Sequence, residues 1–215
     1  MEIILSTSYL APIQYYSKFI KYNKVLIERY ENYIKQTYRN RCIIYSANGL
    51  VNLTIPVKKD KTKTYIKDIT IDYDTNWRKL HWKSIESSYR SSPFFEFFED
   101  DLFPFYTKKF KYLIDYNTEL QNLMLDNIGI ENIQFNYTNE YYKGSDILDY
   151  REVFHPKKSM AKEDKYYKPE KYHQVFNNKH GWKANLSIID LLFNEGPNAI
   201  NILEQSIINF KTQAK

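Results

Sequence analysis

The chain has 215 residues, of which 43% are hydrophobic and 27% charged, so it can bury a core and falls outside the composition of disordered chains. Thirty-one Lys and Arg against 26 Asp and Glu give a formal net charge of +5, too mild a surplus to mark a nucleic-acid protein and compatible with a small anionic substrate. The single cysteine, Cys42, rules out an internal disulfide framework and any multi-cysteine metal site.

The order of elements begins with a buried strand over Ile3–Tyr9, a helix entered at Pro12 and running to Tyr22, and a short strand over Lys24–Glu28. Strand–helix–strand is the pattern of a βαβ unit in a parallel sheet. Arg41–Ser46 and Leu50–Val57 are β-rich and split by Asn48-Gly49, a hairpin signal. Ile66–Ile71 alternates and predicts a further strand. From Asn76 the period becomes helical: Trp77, Leu80, His81, Ile85 and Tyr89 share one face. An aromatic helix over Phe94–Tyr106 breaks near Pro104, and a helix over Tyr116–Ile128 has Asn117 as its expected cap and Gly129 as its stop. Ile133–Tyr137 reads as a strand.

Residues 139–171 are charged, tyrosine-rich and without apolar periodicity, too long for an ordinary connector, so they read as a mobile lid or a disordered insert in a single domain spanning 1–215. Two helices close the chain, Ser187–Asn194 with an S-x-x-D capping pattern through Asp190, and Pro197–Phe210. The expected fold is α/β: a mixed, largely parallel Rossmann-like sheet with a β-hairpin, flanking helices and a long irregular loop. No leader peptide and no apolar run of membrane-spanning length is visible, so a soluble cytoplasmic protein is expected.

Candidate chemistry is spread along the chain. Arg39 and Arg41, two apart at a strand start, point to one side and can form a bidentate grip for phosphate or carboxylate, or else a solvated strand edge. In the run Asp149–Lys158, Arg151, His155 and Lys157 stand close together; His155 can act as an acid or base near neutral pH, or the whole run can be a solvated loop. His81 on an apolar helix face reads as a satisfied core residue. His173, with Gln174 beside it, precedes the helix start at Ser187, where free N–H groups suit an anion and Asp190 can orient a histidine; a cap alone explains Ser187 and Asp190 equally well. The four histidines lack zinc-ligand spacing, and with 5 glycines a backbone phosphate cradle is not expected. The 21 Tyr and 13 Phe suit sugar or base recognition, and an AT-rich coding sequence accounts for them as well.

Several words of the sequence resemble the WbqC-like family of bacterial surface-polysaccharide gene clusters: Ser8-Tyr9-Leu10-Ala11-Pro12, Asn40-Arg41, Leu53-Thr54-Ile55-Pro56-Val57, the Trp77–Tyr89 helix, Arg151 with His155-Pro156-Lys157, and the run Asn185–Pro197. Ser6-Thr7-Ser8 departs from the Gln/His-Pro step that many members carry ahead of the aromatic. The resemblance implies a transferase acting on an anionic, sugar-containing substrate, with acyl or aminoacyl transfer to an amino sugar as one form, and a non-catalytic binding or scaffold protein of the same pathway as the alternative. In the transferase reading His155 or His173 moves a proton and Asp190 orients it. Arg39, Arg41, Arg151 and Lys157 hold the anion, while Tyr9, Gln174 and Ser187 line the pocket. No bound cofactor or metal is expected. The donor is a nucleotide-sugar, an acyl-CoA or an aminoacyl-tRNA, and tRNA is the sole nucleic acid considered.

Overall fold

In a computed structural model, residues 1–58, 64–130, 133–157 and 159–208 are described. Strand β1 (Glu2–Ser6) carries Ile3, Ile4 and Leu5 with no exposed surface, as a central strand covered on both faces must. Helix α1 (Ile13–Lys21) returns the chain to β2 (Lys24–Glu28), which lies parallel to β1 with Ile3 opposite Val25 and Leu5 opposite Ile27. Further along, β5 (Gln134–Tyr137) adds parallel to β2 and the two-residue β6 (Leu148–Asp149) adds parallel to β1, giving the order β5-β2-β1-β6. All four strands therefore end at one edge.

The antiparallel hairpin β3 (Arg41–Ser46) and β4 (Gly49–Thr54) forms a separate two-stranded sheet. Its loop residues are Ala47 and Asn48; Gly49, paired with Ser46, takes the positive φ of 100°. Helices α2 (Trp77–Tyr89), α3 (Phe95–Leu102), α4 (Leu113–Ile128), the short α5 (Asn177–His180), α6 (Ile188–Glu195) and α7 (Ala199–Gln205) complete the α/β architecture. α1 packs on α6 and α7, α4 on α6, and α2 on β3. The shared core is built from Ile3, Leu5, Phe19, Trp77, Tyr116 and Phe193, among others.

Several elements differ from the sequence reading, and β4 stops at Thr54 short of the expected Val57. β1 ends at Ser6, because Thr7–Tyr9 leave the sheet and Tyr9 donates its N–H to the Tyr38 carbonyl instead. Ile66–Asp68 is a 3-10 turn, not a strand: Ile66, Ile69 and Ile71 are buried, but their backbone groups bond to Glu31, to their own turn and to Lys111. Asn117 lies inside α4, which starts at Leu113, and its buried amide donates to the Arg39 carbonyl. The capping box at Ser187 does not form, since the Ser187 hydroxyl donates to the Leu10 carbonyl and the Asp190 carboxylate faces two tyrosines. The last helix ends at Gln205, and Phe210 lies outside the described residues.

The described part of residues 139–171 is tied to the sheet. It supplies β6, Tyr150 donates its N–H to the Ile4 carbonyl, and Asp164 makes a buried ion pair of 2.5 Å with Lys18 of α1. The Lys18 ammonium also sits over the Tyr150 ring at 5.2 Å. Burial pulls Lys18 below the usual lysine range even though Asp164 opposes this.

Candidate functional site

In open parallel sheets the ligand crevice lies beyond the carboxyl ends of the strands. Here that edge carries a buried charged network. Glu28, the last residue of β2, has no exposed surface. Its Oε1 accepts from the Tyr30 N–H at 2.8 Å and the Thr138 hydroxyl at 2.7 Å; its Oε2 accepts from the Tyr142 N–H at 2.9 Å and Arg151 Nη1 at 3.0 Å. Arg151 also grips Asp149 through Nε at 3.0 Å and Nη2 at 2.6 Å, and stacks over the Tyr141 ring at 4.8 Å. These bonds hold the Asp149 carboxyl below the usual range against the burial that would raise it, and the same pairing lifts Arg151 above the usual arginine range.

A second arm joins at Ser6, the end of β1. Arg39 holds Glu31 in a two-point pair, Nε to Oε1 at 2.8 Å and Nη2 to Oε2 at 2.5 Å. Nη2 also donates to Ser6 Oγ at 2.8 Å and to Glu152 at 3.3 Å. The Ser6 hydroxyl is 3.1 Å from both Glu31 Oε2 and the Arg151 carbonyl, which links the two arms. Burial pulls the Arg39 guanidinium down, but its pair with Glu31 outweighs this and keeps it charged. Glu28, Glu31, Asp149 and Glu152 thus stand against Arg39 and Arg151, so carboxylates outnumber guanidiniums at this edge.

Above the network a cleft of about 620 Å³ opens over β2, lined by Leu26 and residues 137–144. Tyr141 and Tyr142 offer aromatic and hydroxyl surface, Glu140 a carboxylate and Lys143 an ammonium. Tyr142 is fixed through its hydroxyl, which donates to Asp146 and accepts from the Ile147 N–H. Flat faces tipped with hydroxyls, beside both signs of charge, suit a polar ring such as a sugar.

The candidates named from sequence do not form one constellation. Arg39 and Arg151 both reach the carboxyl edge, but as ion-paired supports and not as an open anion grip. Arg41, on β3, donates from Nε to the Thr54 hydroxyl at 3.1 Å. His155 Nδ1 accepts from the N–H of exposed Lys157. His173 is exposed, and its backbone N–H bonds Glu195. Gln174 clamps its own loop, with its amide on the Lys183 carbonyl and its oxygen on the Lys183 N–H. Ser187 is spent on Leu10. Among the described residues no hydrogen bond or ion pair joins any two of Arg41, His155, His173 and Asp190. Nor are three or more of His, Cys, Asp and Glu grouped there so as to hold a metal ion.

Two buried polar knots lie elsewhere. Asp190 accepts from the Tyr89 hydroxyl at 2.8 Å and the Tyr172 hydroxyl at 2.6 Å, and burial pushes its carboxyl up to about 6. Tyr9 has no exposed surface; its hydroxyl meets His81 Nδ1 at 3.1 Å and Tyr106 at 3.0 Å. Burial pushes His81 down to about 4, against the hydrogen bond to the Thr54 backbone, so it is neutral, in keeping with a core histidine between Tyr9 and Trp77. Burial likewise keeps the Cys42 thiol protonated.

Ser6, Glu28, Glu31, Asp149 and Glu152 were missed from sequence. One local signal was available: Glu28 ends the apolar run Val25-Leu26-Ile27, and a charge there belongs to the ligand edge of a parallel sheet.

Comparison with known proteins agrees with the motifs in part. The sequence model of the WbqC-like protein family matches residues 7–155, which takes in Arg39, Arg41, Arg151 and His155 and stops before the Asn185–Pro197 run. "Uncharacterized protein Rv1507c" of Mycobacterium tuberculosis (strain ATCC 25618 / H37Rv) is 27% identical over 220 residues, covering 91% of this chain and 91% of its own length. No solved structure matches.

Proposed function

The chain belongs to the WbqC-like protein family, and from that premise we propose that it is a transferase of bacterial surface-polysaccharide assembly, with its sugar-containing substrate in the cleft above the carboxyl ends of β2 and β5. The observation that carries this reading is the buried network of Glu28, Arg151, Ser6, Arg39 and Glu31 beneath that cleft, with half-exposed Asp149 closing on Arg151. Desolvating ion pairs costs several kcal/mol per ion, and apolar side chains of similar volume generally do as well for stability. A network kept at the ligand edge of a parallel sheet is better accounted for as the rigid support of a site.

The surplus of carboxylates favours hydroxyl and ammonium groups, and Lys143 on the wall suits a phosphate or carboxylate of the same substrate. Acyl or aminoacyl transfer to an amino sugar fits this pattern. The amine attacks the acyl carbon, the donor's leaving group departs, and the amine's proton passes to a carboxylate, for which exposed Glu140 is placed. No helix among the described residues is long and apolar enough to cross a membrane; a nucleotide-sugar, acyl-CoA or aminoacyl-tRNA donor and a cytoplasmic site of action go with this reading.

A non-catalytic binding or scaffold role has one observation in its favour: the imidazoles of His155 and His180 bond to the Lys157 N–H and the Ala47 carbonyl, His173 is exposed and bonds Glu195 through its backbone N–H, and none of the three lines the cleft. A thermal-shift screen with nucleotide-sugars, acyl-CoA esters and aminoacyl-tRNA separates the two. A transferase is stabilised by a donor, and the effect is lost in Tyr141→Ala/Lys143→Ala and kept in Lys83→Ala on the distant face of α2. No response to any donor favours the scaffold.

A further inference from the structure

On the other side of Tyr137 a second cavity, of about 290 Å³, lies between the end of β2 and the start of α4. Its wall is Arg29, Ile114, Asp115, Thr118, Glu119 and Tyr137. Arg29 follows Glu28 directly and is anchored by its backbone N–H to Thr138 Oγ1 at 3.2 Å. Its guanidinium lies 5.8 Å from the ring centres of both Tyr30 and Tyr137. Buried Nε has no hydrogen-bond partner, and the guanidinium is in no ion pair among the described residues. Opposite stand Asp115 and Glu119, one helical turn apart on α4, and these too make no ion pair among the described residues. Like charges at that spacing cost a helix a little stability, which a cation between them would relieve. The two neutral polar groups are already engaged: Thr118 donates to the Ile114 carbonyl at 2.7 Å, so Tyr137 donates to Thr118 and keeps its lone pairs for accepting. Burial pushes the Tyr137 hydroxyl up, and the charges of Asp115 and Arg29 act on it with opposite sign.

A guanidinium and two carboxylates facing one cavity without closing on each other leave a gap that one molecule of complementary charge fills. We infer that this cavity binds a small zwitterion, its anionic group on Arg29 and its ammonium between Asp115 and Glu119. Two sources share that chemistry, an amino-sugar phosphate and a free amino acid. The charged groups it rests on, Arg29, Asp115 and Glu119, have no part in the transferase reading, which shares only Tyr137 and Thr138 with this cavity, and the inference stands if that reading fails.

Calorimetric titration of the full chain tests it with glucosamine 1-phosphate, glucose 1-phosphate, glucosamine and serine. The expected result is that glucosamine 1-phosphate binds, and that omitting either its amine or its phosphate weakens binding on the order of tenfold or more, one charged hydrogen-bonded contact each. Serine in its place identifies the amino acid source. Arg29→Gln should erase the contribution of the phosphate, and Asp115→Asn/Glu119→Gln that of the amine. Asp115 and Glu119 are exposed, and circular dichroism confirms that each variant is folded. Tyr141→Ala/Lys143→Ala, in the neighbouring cleft, should leave binding unchanged. If folded wild type binds none of the four, or if binding is indifferent to the three wall substitutions, the inference is overturned.

Discussion

Glu28 and Arg151 are 123 positions apart in sequence and meet at 3.0 Å where the central strands of the sheet run out. Each is buried, and each holds further partners: Thr138 and two backbone N–H groups on Glu28, Asp149 on Arg151. Removing one member of such a pair strands the other in a low-dielectric site. Glu28→Leu should therefore destabilise by about 3 kcal/mol, and Glu28→Leu/Arg151→Met by less than the sum of its single changes. Urea unfolding of the cycle checks this. Strict additivity would mean that the contact carries no coupling.

The Lys18–Asp164 pair should govern how tightly residues 164–168 lie on α1. In Asp164→Asn the buried ammonium loses its counter-charge, so stability should fall by roughly 3 kcal/mol. Hydrogen exchange should rise at Lys168 and Ile208, whose N–H groups bond to the Ser206 and Tyr166 carbonyls and tie the same segment to the residues after α7. Protection unchanged from wild type would show that the strap is held by its backbone bonds alone.

Asp190 and His81 should make opposite contributions to acid stability. The folded Asp190 carboxyl is raised from 3.8 to about 6, so its contribution is full below pH 3.8 and is lost as pH rises through 6. The folded His81 imidazole is lowered from 6.5 to about 4, so its contribution is full above pH 6.5 and is lost as pH falls through 4. Each amounts to roughly 3 kcal/mol at 1.36 kcal/mol per pH unit, so across pH 4–6 the two nearly offset each other. Asp190→Asn should unmask a protein that weakens on acidification, and His81→Gln one that weakens as pH rises. Chemical denaturation at pH 4, 5, 6 and 7 reads both slopes. Parallel profiles for the two variants would contradict the assignment.

Cys42 has no exposed surface, and burial keeps its thiol protonated. Its reaction with a disulfide reagent at pH 8 should be limited by unfolding, accelerating with urea in step with the unfolding transition. Rapid labelling of the native protein would show that β3 opens on its own.

Local pattern was enough for much of the fold. The apolar Ile3-Ile4-Leu5 and Val25-Leu26-Ile27 runs separated by a Pro-led helix mark a βαβ unit, and the hairpin and the Trp77–Tyr89 helix follow from periods of 2 and 3.6 residues. The same logic overreached at Ile66–Ile71, where alternation reflects burial without a pairing strand, and at Ser187, where a capping word is spent on tertiary contacts.

What the sequence determined by itself was which segments are helix and strand and which side chains seek the interior, because those depend on neighbours within a few residues. Which charges share a site was decided by the tertiary structure alone. Ser6, Glu31 and Arg151 converge because parallel strands joined by long crossovers all end at one edge, Arg39 reaches them from the loop that leads into β3, and ion pairing over such separations leaves no period in the chain. His155, His173 and Arg41 stand apart from that edge, and the acids that close the network were ordinary residues until the sheet aligned them.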